Sequence, residues 1–230
     1  MSTILRLPLI AIDGPSGVGK STTAKLVAKS LAWDYLDTGA MYRAAALALK
    51  RAGITIDDRV ALNRILHELK IYQVGNREFL GLEDVSEAIR TPEITDMASL
   101  ISSDADVRVA LVCKQRQICE RGNWVVDGRD IGTVVFPNAC CKIYLTASAE
   151  IKALRRFNEL KNHGLNVRLD EVMARMQSRD TADSNRMMSP LRKAEDAIGL
   201  DSSGMSLAAV VDWIVSHHRH HSMANESVHV

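Results

Sequence analysis

The sequence has no run of about 18 apolar residues, the length that a membrane-spanning helix needs. Its first residues also lack the apolar core of a signal peptide. We therefore expect a cytoplasmic protein that has no membrane partner.

The chain also lacks a strong net charge and a recognisable cysteine framework. Its 29 Lys and Arg residues nearly balance 28 Asp and Glu residues, giving a net charge of +1, so no overall field favours nucleic acid. The cysteines show neither the Cys-x-x-Cys spacing of zinc sites nor the pattern of a disulfide-rich secreted domain. We expect reduced thiols and no nucleic-acid partner. The four cysteines are Cys113, Cys119, Cys140 and Cys141.

The chain does have the length and composition of an ordinary globular domain. Its 230 residues are 47% hydrophobic and 25% charged, which suffices for one α/β domain with small insertions. Five short apolar stretches alternate with helical patterns, which predicts a parallel sheet with helices on both faces. These stretches are residues 9–13, 33–36, 124–127, 141–145 and 198–201.

Two segments fall outside this alternation. Residues 71–82 read as a small hairpin with a turn at Gly75 and Asn76, which predicts an inserted β-rich piece. A closing helix is predicted at residues 206–216, and a polar, His-rich tail follows at residues 217–230. We expect this tail to be a frayed, solvated end without a function.

The strongest motif lies between the first predicted strand and the first predicted helix. Gly14 and Gly19 bracket four residues and precede Lys20 and Ser21, which completes the phosphate-loop pattern G-x-x-x-x-G-K-[ST]. Glycines let several backbone N–H groups converge on a phosphate, and the following helix adds the positive end of its dipole. The residues predicted to bind a nucleoside triphosphate are Gly14, Pro15, Ser16, Gly17, Val18, Gly19, Lys20, Ser21 and Thr22.

The loop predicts how the triphosphate is held but leaves the acceptor open. Lys20 is expected to reach the outer phosphates, and the Ser21 hydroxyl to hold Mg²⁺. GTPases, ATPases and small-molecule kinases share this arrangement.

Charged residues follow two further strands, where a doubly wound sheet binds its ligands. Arg43 comes after the second strand and Arg129 after the third, which indicates a second anionic group beside the triphosphate. Asp127, at the end of its strand, fits a carboxylate facing Mg²⁺; the alternative is a cap on the following turn.

A third cluster consists of Arg179, Asp183 and Arg186, spaced to share one helix face. It is either a surface ion-pair ladder or a face presented to a nucleotide. Arg155 and Arg156 lie upstream, and His163 with Gly164 interrupts the helices. Basic helices with such a break are typical of a lid that closes over the transferred group.

These motifs together resemble the bacterial cytidylate (CMP/dCMP) kinases, in the nucleoside-monophosphate kinase group of P-loop kinases. The resemblance covers residues 10–215, and the sequence D-G-R-D-x-G-T-V-V-F-P at residues 127–137 is its most specific part. It implies a three-layer α/β/α fold with a five-stranded parallel sheet, a helical lid and a small β-rich insertion in the monophosphate-binding region.

The resemblance also implies a single kinase domain over residues 1–230. Its core would comprise about residues 1–37, 104–150 and 187–220, its CMP-binding region 38–103 and its lid 151–186. ATP would be the phosphoryl donor with Mg²⁺ as cofactor, CMP or dCMP the acceptor, and CDP or dCDP the product of a monomeric enzyme of pyrimidine metabolism.

The resemblance assigns roles by position. The monophosphate would be held by Thr38, Arg43 and Arg129. The cytosine edge would be read by Ser99, Arg108, Asp130 and Arg186, and the sugar by Arg179 and Asp183. The catalytic residues would be Lys20, Arg129, Arg155, Arg156 and Arg179, and the metal would be held by Ser21 and Asp127.

Three alternatives are weighed against this hypothesis. A P-loop kinase for another nucleoside monophosphate or small acceptor would share the loop but not the base-reading residues. A GTPase would need an Asn-Lys-x-Asp guanine motif, which the sequence lacks. A nucleic-acid-dependent ATPase would need a basic, aromatic strip, which is also absent.

Overall fold

The computed structural model of the chain describes residues 7–162 and 164–226, and for residues 221–226 it describes the backbone alone. The chain forms two compact units. The first runs to Tyr35 and resumes at Gly122, and the second is Leu36–Arg121. His163, half of the predicted break between the lid helices, lies outside the described residues.

A five-stranded sheet organises the first unit, and its strand order is β2-β6-β1-β7-β8. The strands are β1 (Leu7–Asp13), β2 (Asp34–Asp37), β6 (Trp124–Gly128), β7 (Ala139–Thr146) and β8 (Ile198–Asp201). The pairings of β1 with β6, β1 with β7 and β7 with β8 are parallel. The predicted α/β fold is confirmed.

Helices cover this sheet and bury its strands. These are α1 (Lys20–Leu31) and α8 (Leu207–Glu226); the unit also contains α6 (Ala149–Asn162) and α7 (Leu169–Ser184), which pack on one another. The central strand β1 is buried from Leu9 to Asp13, as expected of a parallel strand covered on both faces. Ile12, Val27 and Ile214 belong to one core that joins β1, α1 and α8.

The second unit is mostly helical. Its helices are α2 (Thr38–Ala52), α3 (Arg59–Glu68), α4 (Pro92–Ile101) and α5 (Ala105–Ile118). The predicted hairpin is present as β3 (Ile71–Val74) and β4 (Arg77–Leu80), and β5 (Glu83–Asp84) adds a third antiparallel strand. The predicted core resumes at about residue 104, whereas the structure places α5 in this second unit.

The expected frayed tail is wrong for residues 217–226, which are helical, although Arg219 and His220 are exposed as expected of a solvated end. Helix α8 continues through Glu226, and His218 is buried with its ring 4.8 Å from that of Trp33. The polar sequence showed no sign of this packing, because histidine is counted as polar although an imidazole can pack edge-on against an indole. Residues 227–230 lie outside the described part of the chain.

Two expectations about the whole chain can be compared with the described residues. No helix among them is both long and apolar enough to cross a membrane. All four cysteines lie in the described part of the chain, and none forms a disulfide.

Candidate active site

The phosphate loop turns sharply between β1 and α1. Gly14 has φ +150°, and a Cβ at this position would lie 2.1 Å from the carbonyl oxygen of Leu145, so only glycine fits. The loop curls around its own lysine, since the Nζ of Lys20 donates to the carbonyl oxygen of Pro15 at 2.6 Å. The predicted triphosphate loop is therefore formed as a compact turn at the carboxyl end of β1.

Lys20 is a buried base of the site, and its pKa is perturbed. Burial lowers its pKa well below the ordinary value, and the positive charge of Arg129 lowers it further. The carboxylates of Asp127 and Asp13 act in the opposite direction. A buried ammonium of this kind is stabilised when anionic groups approach it, as phosphates would.

Ser21 and Asp127 lie together, as the sequence predicts. The Ser21 hydroxyl donates to Asp127 at 2.9 Å, and the Tyr35 hydroxyl donates to the other carboxylate oxygen at 2.7 Å. These oxygens fit Mg²⁺, which prefers oxygen ligands and retains several of its waters. In the part of the chain that the structure describes, no cluster of three or more His, Cys, Asp or Glu residues could hold a metal instead.

Sequence reasoning missed Asp13, which fixes the turn after β6. Its two carboxylate oxygens accept the backbone N–H groups of Ile131 at 2.8 Å and Gly132 at 2.7 Å. Burial raises the pKa of Asp13 to about 6, although these two hydrogen bonds oppose the shift. The nearby carboxylate of Asp130, also buried, adds to it. Its place at the end of a buried strand was the available signal.

Asp183 draws two of the predicted arginines together. Its side chain is 1% exposed; it accepts from the Nε of Arg129 at 2.8 Å and forms an ion pair with Arg186. Burial would raise the pKa of Asp183, but Arg129 and Arg186 outweigh it and the pKa is lowered. Arg179 contributes to the same lowering.

The shared helix face predicted for this cluster is wrong at one position. Helix α7 ends at Ser184, so Arg186 lies beyond it. Asn185 caps the end with a non-helical backbone, which turns the chain. Arg186 reaches Asp183 from that turn rather than along the helix, so the cluster is more compact than the spacing suggests.

The predicted lid helices α6 and α7 pack on one another through a small core of Ala153, Val172 and Met176. Arg155 anchors α6: it donates to the carbonyl oxygen of Val18 at 3.0 Å and to Ser202 through two nitrogens. These contacts are with protein groups, whereas the sequence predicts a lid arginine that helps to neutralise the phosphates. Arg156 pairs with Glu159 at 2.8 Å.

A second missed contact joins the phosphate loop to these helices. One oxygen of Asp180 accepts from the backbone N–H of Ser16 at 2.9 Å, and the other accepts from the Nζ of Lys152 at 2.6 Å. Asp180 directly follows Arg179, and Lys152 lies one helical turn before Arg155. Both are therefore close in sequence to residues that were predicted to be catalytic. Their own roles depend on a tertiary contact.

In the second unit, Arg43 lies over the first turn of α2. Its guanidinium pairs with Asp37 at 3.3 Å, and its Nε is buried and has no hydrogen-bond partner among the described residues. Asp37 also caps α2 by accepting from Ala40, and Thr38 is buried at the first position of the helix. Gly39 leaves room, since a Cβ there would lie 3.2 Å from Arg43.

Ser99 and Arg108 meet around the connection between α4 and α5. Arg108 is buried and donates to the carbonyl oxygen of Ser102 at 3.2 Å, and the hydroxyl of Ser102 donates to the carbonyl oxygen of Ser99. The guanidinium of Arg108 also lies 5.9 Å from the ring centroid of Tyr42. Two of the four residues predicted to read the base thus lie close together in the second unit.

Comparison with known proteins agrees with these motifs. Residues 10–220 match the cytidylate kinase family. A cytidylate kinase from Syntrophotalea carbinolica is 47% identical over 89% of this chain and 88% of its own, and one from Caldanaerobacter subterraneus is 48% identical over 89% and 92%. A gluconokinase structure from Sinorhizobium meliloti gives a TM-score of 0.49 at 13% identity over 94% of both chains. The chain belongs to the cytidylate kinase family.

Proposed function

We propose that the protein transfers the γ-phosphoryl group of ATP to CMP or dCMP, which yields ADP and CDP or dCDP. One observation carries the donor side of this proposal: the Ser21 hydroxyl lies 2.9 Å from Asp127, next to a buried Lys20 on a phosphate loop. The names of the relatives support cytidylate as the acceptor.

On the donor side, the chain supplies donors for phosphate oxygens. The backbone N–H groups of the loop and the ammonium of Lys20 would bind the outer phosphates of ATP. Ser21 and Asp127 would hold Mg²⁺, with Tyr35 orienting the carboxylate. When bound, Mg²⁺ neutralises charge on the phosphate oxygens.

On the acceptor side, Thr38, Arg43 and Arg129 would bind the monophosphate. Arginine suits this role because its planar fork can donate two hydrogen bonds to one phosphate. The acceptor oxygen is already anionic at neutral pH, so no strong general base is required. Catalysis then consists of positioning two anions and reducing their repulsion.

The base would be recognised by Ser99, Arg108, Asp130 and Arg186. The exocyclic amine of cytosine can donate a hydrogen bond to a carboxylate. Its N3 and O2 atoms can accept hydrogen bonds from arginine and hydroxyl groups. Arg179 and Asp183 would lie near the sugar, where the carboxylate can accept a hydrogen bond from a sugar hydroxyl. Uracil has a carbonyl in place of the amine, so Asp130 would disfavour it.

Helices α6 and α7 would act as the lid that excludes water during transfer. Arg155 would position the loop through Val18, while Arg156 and Arg179 would stabilise charge on the transferred group. We also propose that the enzyme works as a monomer in the cytoplasm, where thiols without disulfides are stable.

An ADP-release assay with ATP and a panel of acceptors tests this proposal. We expect turnover with CMP and dCMP that exceeds turnover with UMP, AMP and shikimate. An Asp130→Ala variant should lose discrimination between CMP and UMP while binding ATP as before. Activity confined to AMP or shikimate, or unchanged discrimination in the variant, would overturn the assignment.

A further inference from the structure

The contact between the phosphate loop and Asp180 has no part in the proposed chemistry, yet it lies where a phosphate is expected. The carboxylate bridges two donors: the backbone N–H of Ser16, at 2.9 Å, and the ammonium of Lys152, at 2.6 Å. The side chains of Lys152 and Asp180 are 15% and 18% exposed, so water reaches both. An incoming anion can therefore reach the same place.

The two donors are of the kind that binds phosphate oxygens. A backbone N–H of a glycine-rich loop and a flexible ammonium both form charge-assisted hydrogen bonds with anions. In this structure they converge on one carboxylate, so a single phosphate oxygen, or two oxygens of one phosphate, could replace it. A polyphosphate carries more negative charge than one carboxylate and would compete effectively.

The position of Lys152 is fixed by neighbouring contacts between α6 and the loop. Arg155, one turn further along α6, donates to the carbonyl oxygen of Val18. A Cβ on Gly17 would lie 2.9 Å from the carbonyl oxygen of Lys152, so the two backbones touch there. The backbone of Lys152 is thus held beside the loop independently of the ion pair with Asp180, and this keeps the ammonium within reach of Ser16.

We propose that Lys152 is a further phosphate-binding residue for the donor nucleotide, and that Asp180 is an internal competitor which occupies its site. Nucleotide binding transfers the Ser16 N–H and the Lys152 ammonium from the carboxylate to a phosphate oxygen. This inference rests on the proposed function only in that the loop binds the triphosphate of the donor; it does not depend on the acceptor.

Direct binding of MgATP, measured by calorimetry without acceptor, tests the proposal. In Asp180→Asn the competing charge is lost, and the neutral amide has one accepting oxygen in place of two. We therefore expect the dissociation constant for ATP to fall about three- to tenfold, while the melting temperature also falls because an ion pair is lost. A supporting role for Asp180 would instead weaken stability and affinity together.

The contribution of Lys152 to ATP binding is tested in the native chain and in the Asp180→Asn variant. Lys152→Met should raise the dissociation constant about tenfold in the native chain, and by a similar factor in Asp180→Asn. If Lys152 served only to pair with Asp180, its replacement would have no effect once Asp180 is neutral, and the proposal would be wrong. Asp170→Asn is the matched control: it lies on the same helix, pairs with the exposed Arg168, and should leave ATP affinity unchanged.

The outcomes separate this proposal from the assignment of the reaction. A protein that shows the predicted ATP pattern but does not phosphorylate CMP or dCMP contradicts the proposed function and supports the competitor. Normal CMP turnover with no effect of Lys152→Met in the Asp180→Asn background contradicts the competitor and leaves the function standing.

Discussion

The two units of the chain distribute their charged side chains differently. In the first unit, Asp13, Lys20 and Asp127 are each 4–6% exposed and lie at strand ends or in the loop that follows. In the second unit, Arg108 is buried on α5, while α2 carries surface pairs such as Arg51 with Glu83. Exposed pairs contribute little to stability, whereas buried charges are costly unless partners or ligands compensate them.

This difference helps to identify functional residues where a motif is weak. Within the second unit, Arg43 and Arg108 stand out because their guanidinium groups are largely covered, while Arg51 remains in water. Burying an arginine costs free energy unless a partner or a ligand compensates its charge. The predictions below test whether burial, rather than charge alone, separates active from inert residues.

The largest effect is expected at Lys20. Lys20→Ala should lower kcat by about a hundredfold to a thousandfold, because a buried donor aimed at the phosphates is lost. Circular dichroism and thermal unfolding should show an intact fold. Lys29→Ala, on the exposed side of the same helix, serves as the control and should retain full turnover.

The pH dependence of stability should report Asp13. Its pKa is about 6 in the folded chain, against an ordinary value of 3.8 that we take for the unfolded chain. Because the folded value is raised, the stabilisation due to Asp13 is fully present below pH 3.8 and is lost as the pH rises through 6. The loss is about 3 kcal/mol, since one pKa unit corresponds to about 1.4 kcal/mol.

The measurement compares free energies of unfolding for the native chain and Asp13→Asn across this pH range. The difference between them should change with the predicted sign, whatever constant effect the substitution has. Asp201 provides a control of opposite sign, since hydrogen bonds from Ser203 lower its pKa. A difference curve for Asp13→Asn that is flat with pH would contradict the assignment.

Arg43 and Arg51 lie on the same helix and give a direct test of burial. Arg43→Met should raise KM for CMP about tenfold to a hundredfold through the lost hydrogen bonds to phosphate, with KM for ATP nearly unchanged. Arg51→Met should change neither constant. Equal effects of the two substitutions would mean that overall charge, not position, governs acceptor binding.

The smallest effect is expected at the end of α8. His218→Ala should lower the free energy of unfolding by about 1–2 kcal/mol, because its ring packs against Trp33. His220 is exposed and bonds to the carbonyl oxygen of Ser216, so His220→Ala should have little effect. Chemical denaturation of both variants distinguishes a packed helix end from a solvated one.

Local motifs predicted the fold and the proximity of the residues proposed to bind the donor. The loop at Gly14, the pairing of Ser21 with Asp127 and the inserted hairpin follow from short-range patterns and from the rule for strand ends. These features are specified by residue types at fixed positions along the chain, so they can be recognised in a single sequence.

Contacts between distant segments could not be predicted in the same way. The hydrogen bonds from Tyr35 to Asp127 and from Ser16 to Asp180 join residues 92 and 164 positions apart. Arg186 illustrates a second limit, because extrapolating helical spacing across a helix end misplaced it. Neither packing nor a helix end is determined by the identity of one residue.

Transfer of the terminal phosphate of γ-labelled ATP is the most direct test of the central claim. With CMP as acceptor, we expect the label to appear in CDP, and Lys20→Ala to slow its appearance by about a hundredfold to a thousandfold. Label that appears only as inorganic phosphate, or in UDP as readily as in CDP when UMP is supplied, would contradict the account.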